Sequence, residues 1–323
     1  MTEKDVLLFL WEKPGEYISG TELADRLDVS RAAVWKAVRT LRAQGYAIDS
    51  VTNRGYRISP ESDVLSAEGI TRRLKDDRLR VEYFPVIGST NTALKERANA
   101  GAAEGLVLAA GEQTGGRGRM GRQFFSPADS GIYMSLLLRP QRSAAESTLL
   151  TAAAAVAVAE SVEALSGMPT GIKWVNDVLL GGKKICGILT EASVDWESGM
   201  ADYVVVGIGV NTRPPAGDFP PDIREVAGAI FSDRRPEDLR CRLAAAILDR
   251  LMELYDRLGS EECYEAYKRR STVLGKEINI LSPGREPVPA TVLDIQRDYA
   301  LRVRLADGTE KLLSSGEVSI RTK

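Results

Sequence analysis

Residues 115–122 read GGRGRMGR, which sets Arg117, Arg119 and Arg122 along a glycine-rich loop with no local acid to neutralise them. Three guanidiniums this close repel one another, so the arrangement calls for an anion among them: a phosphate, a carboxylate or a nucleic acid. Gly115, Gly116, Gly118 and Gly121 allow backbone paths that a side chain would forbid and leave amide groups open to that anion. Gln113 brings a donor and an acceptor, and Phe124 or Phe125 an aromatic face. The run lacks the GxxxxGK[ST] order of a Walker loop. Its GRGRMG fragment is charged and does not sit between a strand and a helix, as a Rossmann turn requires.

Further chemistry lies on either side of this loop. GSTN at 88–91 follows a probable strand, YFPVI, and precedes the helical TALKERANAG, so Ser89, Thr90 and Asn91 offer hydroxyl and amide groups at a strand-to-helix junction. An ordinary helix cap has the same look. In KWVND at 173–177, Asn176 is a hydrogen-bonding partner and Asp177 a candidate Mg²⁺ contact, direct or through water. GGKKICGILTE at 181–191 starts a strand with Lys183 and Lys184; adjacent strand residues face opposite ways, so one lysine is expected to point into a cleft. GIGVN from Gly207 ends an apolar strand whose alternate glycines admit either a flat ligand or close packing under a helix.

The 323 residues exceed what one core supports, so two or three domains are expected. With 44% hydrophobic and 27% charged residues the composition is that of a soluble globular protein. The chain has no histidine, which excludes Ser-His-Asp and Cys-His catalysis, imidazole bases and His-containing zinc sites. Cys186, Cys241 and Cys263 are too few and too dispersed for a disulfide framework, which suits a reducing cytoplasm. No secretory signal opens the chain, and the apolar run LLTAAAAVAVAE from Leu149 meets Glu160 short of a membrane span and reads as a buried helix. A net charge of −2 confines any nucleic-acid contact to a local basic patch.

Such a patch occurs in the first sixty residues. VLLFL at 6–10 gives an apolar helix closed by Pro14-Gly15, and Ser19 with Glu22 has the capping-box spacing for a second helix. Ser30 caps a third, which Gly45 ends. At about 100° per residue this helix puts Val34, Ala37, Val38 and Leu41 on one face and Arg31, Trp35, Arg39 and Arg42 on another. From Ser30 to Gln44 the only charged residues are Arg31, Lys36, Arg39 and Arg42, all basic, and a hairpin with Arg54 at its tip follows. The order is that of a winged helix-turn-helix, with Arg31, Trp35, Lys36, Arg39, Arg42 and Arg54 as DNA contacts; a helical interaction module with a solvated charged face is the alternative.

The texture predicts an α+β multidomain chain: a winged helix-turn-helix over 1–62, a turn-rich linker from Pro60 to Ser66, a mixed sheet with helices mainly on one face over 67–270, and a small β-barrel over 271–323.

In order, GSTN, EQTGGRGRMGRQFFSP, KWVNDV, KKICGILTE and GIGVN resemble the motifs of biotin protein ligases. With the N-terminal reader and the terminal SGEVSIR, essentially the whole chain is similar to the bifunctional class, the biotin operon repressors of the BirA family. The resemblance implies a class II synthetase-like central domain and an SH3-like C-terminal barrel. It implies a ligase that uses biotin and ATP with Mg²⁺ to form biotinyl-5′-AMP and passes biotin to a lysine of a biotin carboxyl carrier protein, the biotin domain of acetyl-CoA carboxylase or pyruvate carboxylase. Operator DNA and a second copy of the chain, paired when adenylate is bound, are the other implied partners; no membrane is. By position, the biotin contacts fall on Ser89, Thr90, Asn91, Gln113, Arg117, Gly118, Arg119 and Lys184, with Arg117, Arg119 and Lys184 catalytic. The nucleotide side falls on Arg122, Phe124, Asn176 and Asn211, with Asp177 near the metal. Val175 replaces the proline of the family's usual KWPND, and Phe124 stands where a tryptophan is common. A ligand-sensing transcription factor without ligase activity and a lipoate-type ligase are the rival readings.

Overall fold

Ser19 and Ser30 do cap helices. In the computed structural model, which describes residues 3–13, 15–59, 62–140, 143, 147–194, 199–232, 238–281, 286–314 and 317–320, their hydroxyls accept from the amides of Glu22 and Ala33 at 3.0 and 3.2 Å. They open α2 (Gly20–Arg26) and α3 (Arg31–Ala43), which follow α1 (Glu3–Glu12). Val34, Ala37, Val38 and Leu41 are buried, as their 3.6-residue spacing requires, against Val6, Leu7, Leu10 and Leu23. Strands β1 (Ile48–Val51) and β2 (Gly55–Ile58) form the antiparallel wing. Gly55 is obligatory there: a Cβ would sit 2.0 Å from the Ile18 carbonyl oxygen. Pro14 and Pro60, expected as punctuation, lie outside the described residues, as do parts of the terminal SGEVSIR.

The expected linker is not one from Ser62 onward. Ser62, Leu65 and Ser66 are buried, and Ser66 caps α4 (Ala67–Thr71). The Asp63 carboxylate accepts from the Arg240 amide at 2.8 Å, and Arg72 meets Asp238 at 3.1 Å. Polar, turn-rich composition suggests a loop but cannot disclose partners some 170 residues away. By contact, Met1–Arg73 and Arg234–Arg242 make one unit, and Leu74–Asp233 with Leu243–Lys323 the other.

In the second unit β3 (Arg80–Ile87), α5 (Thr90–Asn99), β4 (Leu106–Gln113), β5 (Gly131–Leu138), α6 (Ser147–Ser166), β6 (Thr170–Lys173), β7 (Asp177–Leu180), β8 (Lys183–Val194) and β9 (Ala201–Asn211) precede α7 (Leu239–Asp256) and α8 (Glu261–Arg269). The seven strands run in the order β3-β4-β5-β9-β8-β7-β6, mixed because β3 and β4 are parallel and the remaining neighbours antiparallel. Leu94 and Ala98 of α5 pack on Leu108, Leu137 and Val205. On α6, Thr151 meets Thr190 at 2.8 Å, and Thr190 adjoins Glu191, whose carboxylate lies on the α5 side. The two helices therefore cover opposite faces of the sheet. Arg250 of α7 and Arg270, just after α8, both reach α6 carboxylates, so the α6 face carries most of the helical cover and α5 leaves part of the other face open.

Over Thr148–Ser166, α6 is long and apolar enough to cross a membrane, yet Ala152 through Ala159 are fully buried in this fold. The remaining strands, β10 (Glu277–Leu281), β11 (Val288–Ile295), β12 (Leu301–Leu305), β13 (Glu310–Leu313) and β14 (Glu317–Ile320), form a separate antiparallel sheet in the order β13-β12-β11-β10-β14.

Candidate active site

The part of the sheet that α5 leaves uncovered is a cavity of about 640 Å³, within the ~300–1,000 Å³ typical of small-molecule sites. Ser89, Thr90, Asn91, Gln113, Arg117, Gly118, Arg119, Arg122, Phe124, Asn176, Asp177, Lys184 and Asn211 all line it. Every ligase residue expected from the sequence thus reaches one place.

One end is a fixed polar network. Ser89 caps α5 through the Thr92 amide at 3.4 Å, so the helix-cap reading of GSTN also holds. The amide and hydroxyl of Thr90 donate to Gln113 Oε1 at 2.9 and 3.1 Å, and Gln113 Nε2 donates to Ser126 at 3.1 Å. Asn91 Nδ2 donates to the Leu189 carbonyl at 3.2 Å and to Glu191 at 2.9 Å, while the Ser135 hydroxyl approaches Asn91 Oδ1 at 2.6 Å and Thr90 Oγ1 at 2.7 Å. Such a satisfied network holds its donors and acceptors in place before a ligand arrives.

The floor is nearly free of side chains. A Cβ on Gly207 would fall 2.0 Å from Asn91 Oδ1, and one on Gly209 would fall 2.4 Å from the Phe124 ring. The glycines of β9 thus admit both the cap of α5 and a flat ring, here that of Phe124, which also meets Tyr133 edge-on at 6.4 Å.

The cations flank this network: Arg117 reaches the Glu191 that Asn91 also bonds, while Arg119 and Lys184 lie toward Asn176 and Asp177. The arginine loop joins β4 to β5 through a 3-10 turn at Arg119–Gly121, and it is tied by Gly118 N–H to the Arg122 carbonyl at 2.7 Å and Phe124 N–H to the Gly116 carbonyl at 3.0 Å. Arg119 Nη1 donates to Asn176 Oδ1 at 3.0 Å, and Asn176 Nδ2 donates to the Ile188 carbonyl at 2.9 Å. Lys184 Nζ lies 2.7 Å from Asp177 Oδ1, whereas Lys183 turns outward to backbone carbonyls of Arg224 and Glu225. A β-bulge decides which lysine enters. Cys186 pairs with Val178 but Lys184 with Leu179, so one extra β8 residue lies between them and brings Lys184 onto the face of Gly187.

The sequence places no acid among the arginines, but the fold brings a distant one to Arg117. Arg117 Nη1 stands 3.8 Å from Glu191 Oε1, which also holds Lys95 Nζ at 2.7 Å. Burial raises the Glu191 carboxyl, but hydrogen bonds from Lys95 and Asn91 and the charge of Arg117 outweigh it and hold the carboxyl below its usual range. The neutralising acid lies some 70 residues away in sequence, beyond any local count. Glu191, Lys95, Ser135 and Trp174 were not among the expected site residues. The signal for Glu191 was present in alternation, because Gly187, Leu189 and Glu191 share one face of β8.

Among the described residues no three His, Cys, Asp or Glu side chains gather as metal ligands. Asp177 is a single carboxylate beside Lys184, a donor set that fits Mg²⁺ arriving on nucleotide phosphates, with its own waters, better than a metal held by the protein. The Trp174–Val175 peptide is cis.

The N-terminal unit offers a second surface. Trp35 is 54% exposed on α3, with the Arg39 guanidinium 5.0 Å from its ring centre, and Arg31, Lys36 and Arg39 are exposed around it. Arg54 at the wing tip lies over Tyr17 at 4.6 Å. Arg42, also expected on this face, donates to the Ile48 carbonyl at 2.7 Å and to Ser50 at 2.9 Å, which ties α3 to the wing.

Known proteins bear on both surfaces. Residues 83–211 match the Biotin/lipoate A/B protein ligase family, residues 2–57 an HTH domain and residues 273–321 the Biotin protein ligase C terminal domain. The domains are those of a biotin or lipoate ligase joined to an HTH head. Among curated relatives, the bifunctional ligase/repressor BirA of Bacillus spizizenii is 40% identical over 70% of each chain, and that of Escherichia coli is 29% identical over 95% of this chain and 94% of its own. The biotin protein ligase of Aquifex aeolicus, solved with biotin and ATP, superposes with a TM-score of 0.60 at 26% identity, covering 75% of this chain and 99% of that one. The chain belongs to the family of bifunctional BirA ligase/repressors.

Proposed function

We propose that the protein is an ATP-dependent biotin–[acetyl-CoA-carboxylase] ligase and a DNA-binding repressor of biotin genes, with biotinyl-5′-AMP as its corepressor. The convergence of Ser89–Asn91, Gln113, the arginine loop, Asn176, Lys184 and Asn211 on one cavity carries the ligase reading. A ligand sensor without ligase activity would not need three cations on exchangeable partners beside a fixed polar network, and the likeness to BirA ligase/repressors disfavours the lipoate reading.

In the first step a biotin carboxylate oxygen attacks the α-phosphorus of ATP, and the bond to pyrophosphate breaks. Two anions must meet, so fixed cations are the main requirement. Arg117, Arg119 and Lys184 gather around the carboxylate and α-phosphate. Each starts with a weaker partner, respectively Glu191, Asn176 and Asp177, and can exchange it for the more highly charged ligand. Mg²⁺ bound with the nucleotide would screen the pyrophosphate charge, and Asp177 is the residue that would contact it, directly or through water. The polar end of Ser89, Thr90, Asn91 and Gln113 takes the biotin ring amide groups, and Arg122, Phe124, Asn176 and Asn211 take the nucleotide.

In the second step a carrier-protein lysine attacks the carbonyl of the mixed anhydride, AMP leaves with the bonding electron pair, and the amine loses a proton. Closure of the arginine loop over the anhydride keeps water out until then. Arg31, Trp35, Lys36, Arg39 and Arg54 contact operator DNA, and adenylate-driven pairing of two chains presents two such heads to two half-sites. The C-terminal sheet closes as a small SH3-like barrel, and the protein works in the cytoplasm, where carrier and operator both reside.

Biotin-dependent exchange of labelled pyrophosphate into ATP tests the ligase reading. Exchange that requires biotin is the expected result; exchange that ignores biotin, or answers to lipoate instead, refutes it.

A further inference from the structure

Four consecutive residues that line or border the cavity are each held by a different part of the fold. The Trp174 indole N–H donates to the Tyr299 carbonyl at 2.7 Å, and the Tyr267 hydroxyl donates to the Val175 carbonyl at 3.1 Å. Asn176 receives Arg119, and Asp177 pairs with Lys184. Of these four ties, two run to catalytic cations and two to a buried aromatic wedge.

That wedge comprises Tyr264 and Tyr267 of α8 and Tyr299 of the turn between β11 and β12. Tyr267 is fully buried and Tyr299 nearly so, with their rings edge-on at 4.9 Å. Tyr299 sits at φ 64°, a left-handed conformation costly for a residue with a Cβ. The turn is fixed by Tyr299 N–H to the Gln296 carbonyl at 2.9 Å and by the Ala300 amide to Asp298 at 3.0 Å, and this aims the Tyr299 carbonyl at Trp174. The Val175 carbonyl and the Trp174 indole are both buried, so losing either partner would leave a polar group without water to replace it.

We infer that Tyr267 and Tyr299 are positioning residues for adenylate formation: through Trp174 and Val175 they set where Asn176 and Asp177 hold Arg119 and Lys184. The inference rests on the ligase reading above and assigns α8 and the C-terminal sheet a part in the chemistry. Groups that stabilise developing charge lose much of their effect when displaced by about 1 Å. The polar end at Ser89, Asn91 and Gln113 has no hydrogen bond to this wedge among those described.

Tyr267→Phe removes only the hydroxyl. Tyr264→Phe is the control, because it too removes only a hydroxyl of the wedge, one bonded to the Ile295 carbonyl at 2.6 Å and to Lys268 at 3.2 Å and to no residue of the 174–177 run. In full-length protein, Tyr267→Phe should lower kcat for biotin-dependent pyrophosphate exchange roughly tenfold and leave the Kd for biotin near the parent's, while Tyr264→Phe should keep the parent rate. Equal slowing in both variants would reduce the wedge to general stability, and no slowing in Tyr267→Phe would remove its role; either result overturns the inference. Absence of exchange in the parent itself would instead count against the ligase reading. Deuterium uptake at the Trp174 indole, followed by NMR, tests the positioning apart from activity: Tyr267→Phe should speed it and Tyr264→Phe should not. Identical uptake in all three proteins would overturn the inference whatever the activity.

Discussion

Replacing Gly207 by alanine puts the geometry of the polar end to a direct test. The new Cβ would fall 2.0 Å from Asn91 Oδ1, and since such contacts do not occur below 3.0 Å, Asn91 must retreat by about 1 Å. Asn91 cannot retreat freely, because Leu189, Glu191 and Ser135 all bond its amide. Breaking two of these bonds, at about 0.5–1.5 kcal/mol each, costs the fold roughly 1–3 kcal/mol, and the displaced Asn91 amide loses its bond to the ligand, which should weaken the Kd for biotin by about tenfold. The broken bonds belong to the free protein and lie among buried groups, so the thermal midpoint should fall as well, by a few degrees. Gly209→Ala is the internal comparison: its Cβ meets the Phe124 ring, a single side chain that can swing aside, so the effect should fall on ATP rather than biotin. Titration calorimetry with biotin, with and without nucleotide, separates the two. Should Gly207→Ala bind biotin as tightly as the parent, the placement of biotin against Asn91 is wrong.

Arg119→Gly removes the tie to Asn176 and one cation of the clamp, so biotinyl-AMP should escape early and label bystander amines; retention of labelled adenylate on a filter as strong as the parent's would contradict this. Hydrogen bonding from Arg270 pulls the Glu163 carboxyl down to about 2. A carboxyl depressed in the folded state adds stability above its unfolded pKa and loses it as pH falls through the folded value. Relative to Glu163→Gln, the parent should therefore be more stable by about 1–2 kcal/mol near neutrality, after discounting for solvent screening, and this advantage should shrink below roughly pH 4.5 and vanish near pH 2 in urea titrations. On DNA, Arg39→Ala should lower the slope of log affinity against log salt by about 1. Arg42→Ala should instead lower the stability of the N-terminal unit, because its guanidinium is spent on Ile48 and Ser50; equal salt slopes for the two variants would refute that division.

Much of the site could be read before the fold was known, for a local reason. Ser89, Thr90 and Asn91 sit within one strand-to-helix junction, and the arginines share one glycine-rich loop, so residue type and near neighbours reveal the chemistry they offer. The reader helix was legible for the same reason, since a 3.6-residue period sorts Val34, Ala37, Val38 and Leu41 from the basic face within a single helix. What was not legible depends on distant partners. Glu191 beside Arg117, Asp63 beside Arg240 and Tyr299 behind Trp174 are pairings that no window of neighbouring residues contains.

By itself, then, the chain's order of residues determined which groups are available: cations without histidine, glycines where backbone must lie bare, and a basic helix after two caps. Alternation left open which of two adjacent lysines enters the cavity; resemblance named Lys184, and the tertiary structure supplies the reason, a bulge in β8 that overrides simple alternation. That structure alone decided that the arginine loop faces a carboxylate, since strand pairing carries Glu191 to the same opening. Side-chain chemistry is a property of each residue, whereas orientation and partnership are properties of the sheet that gathers them.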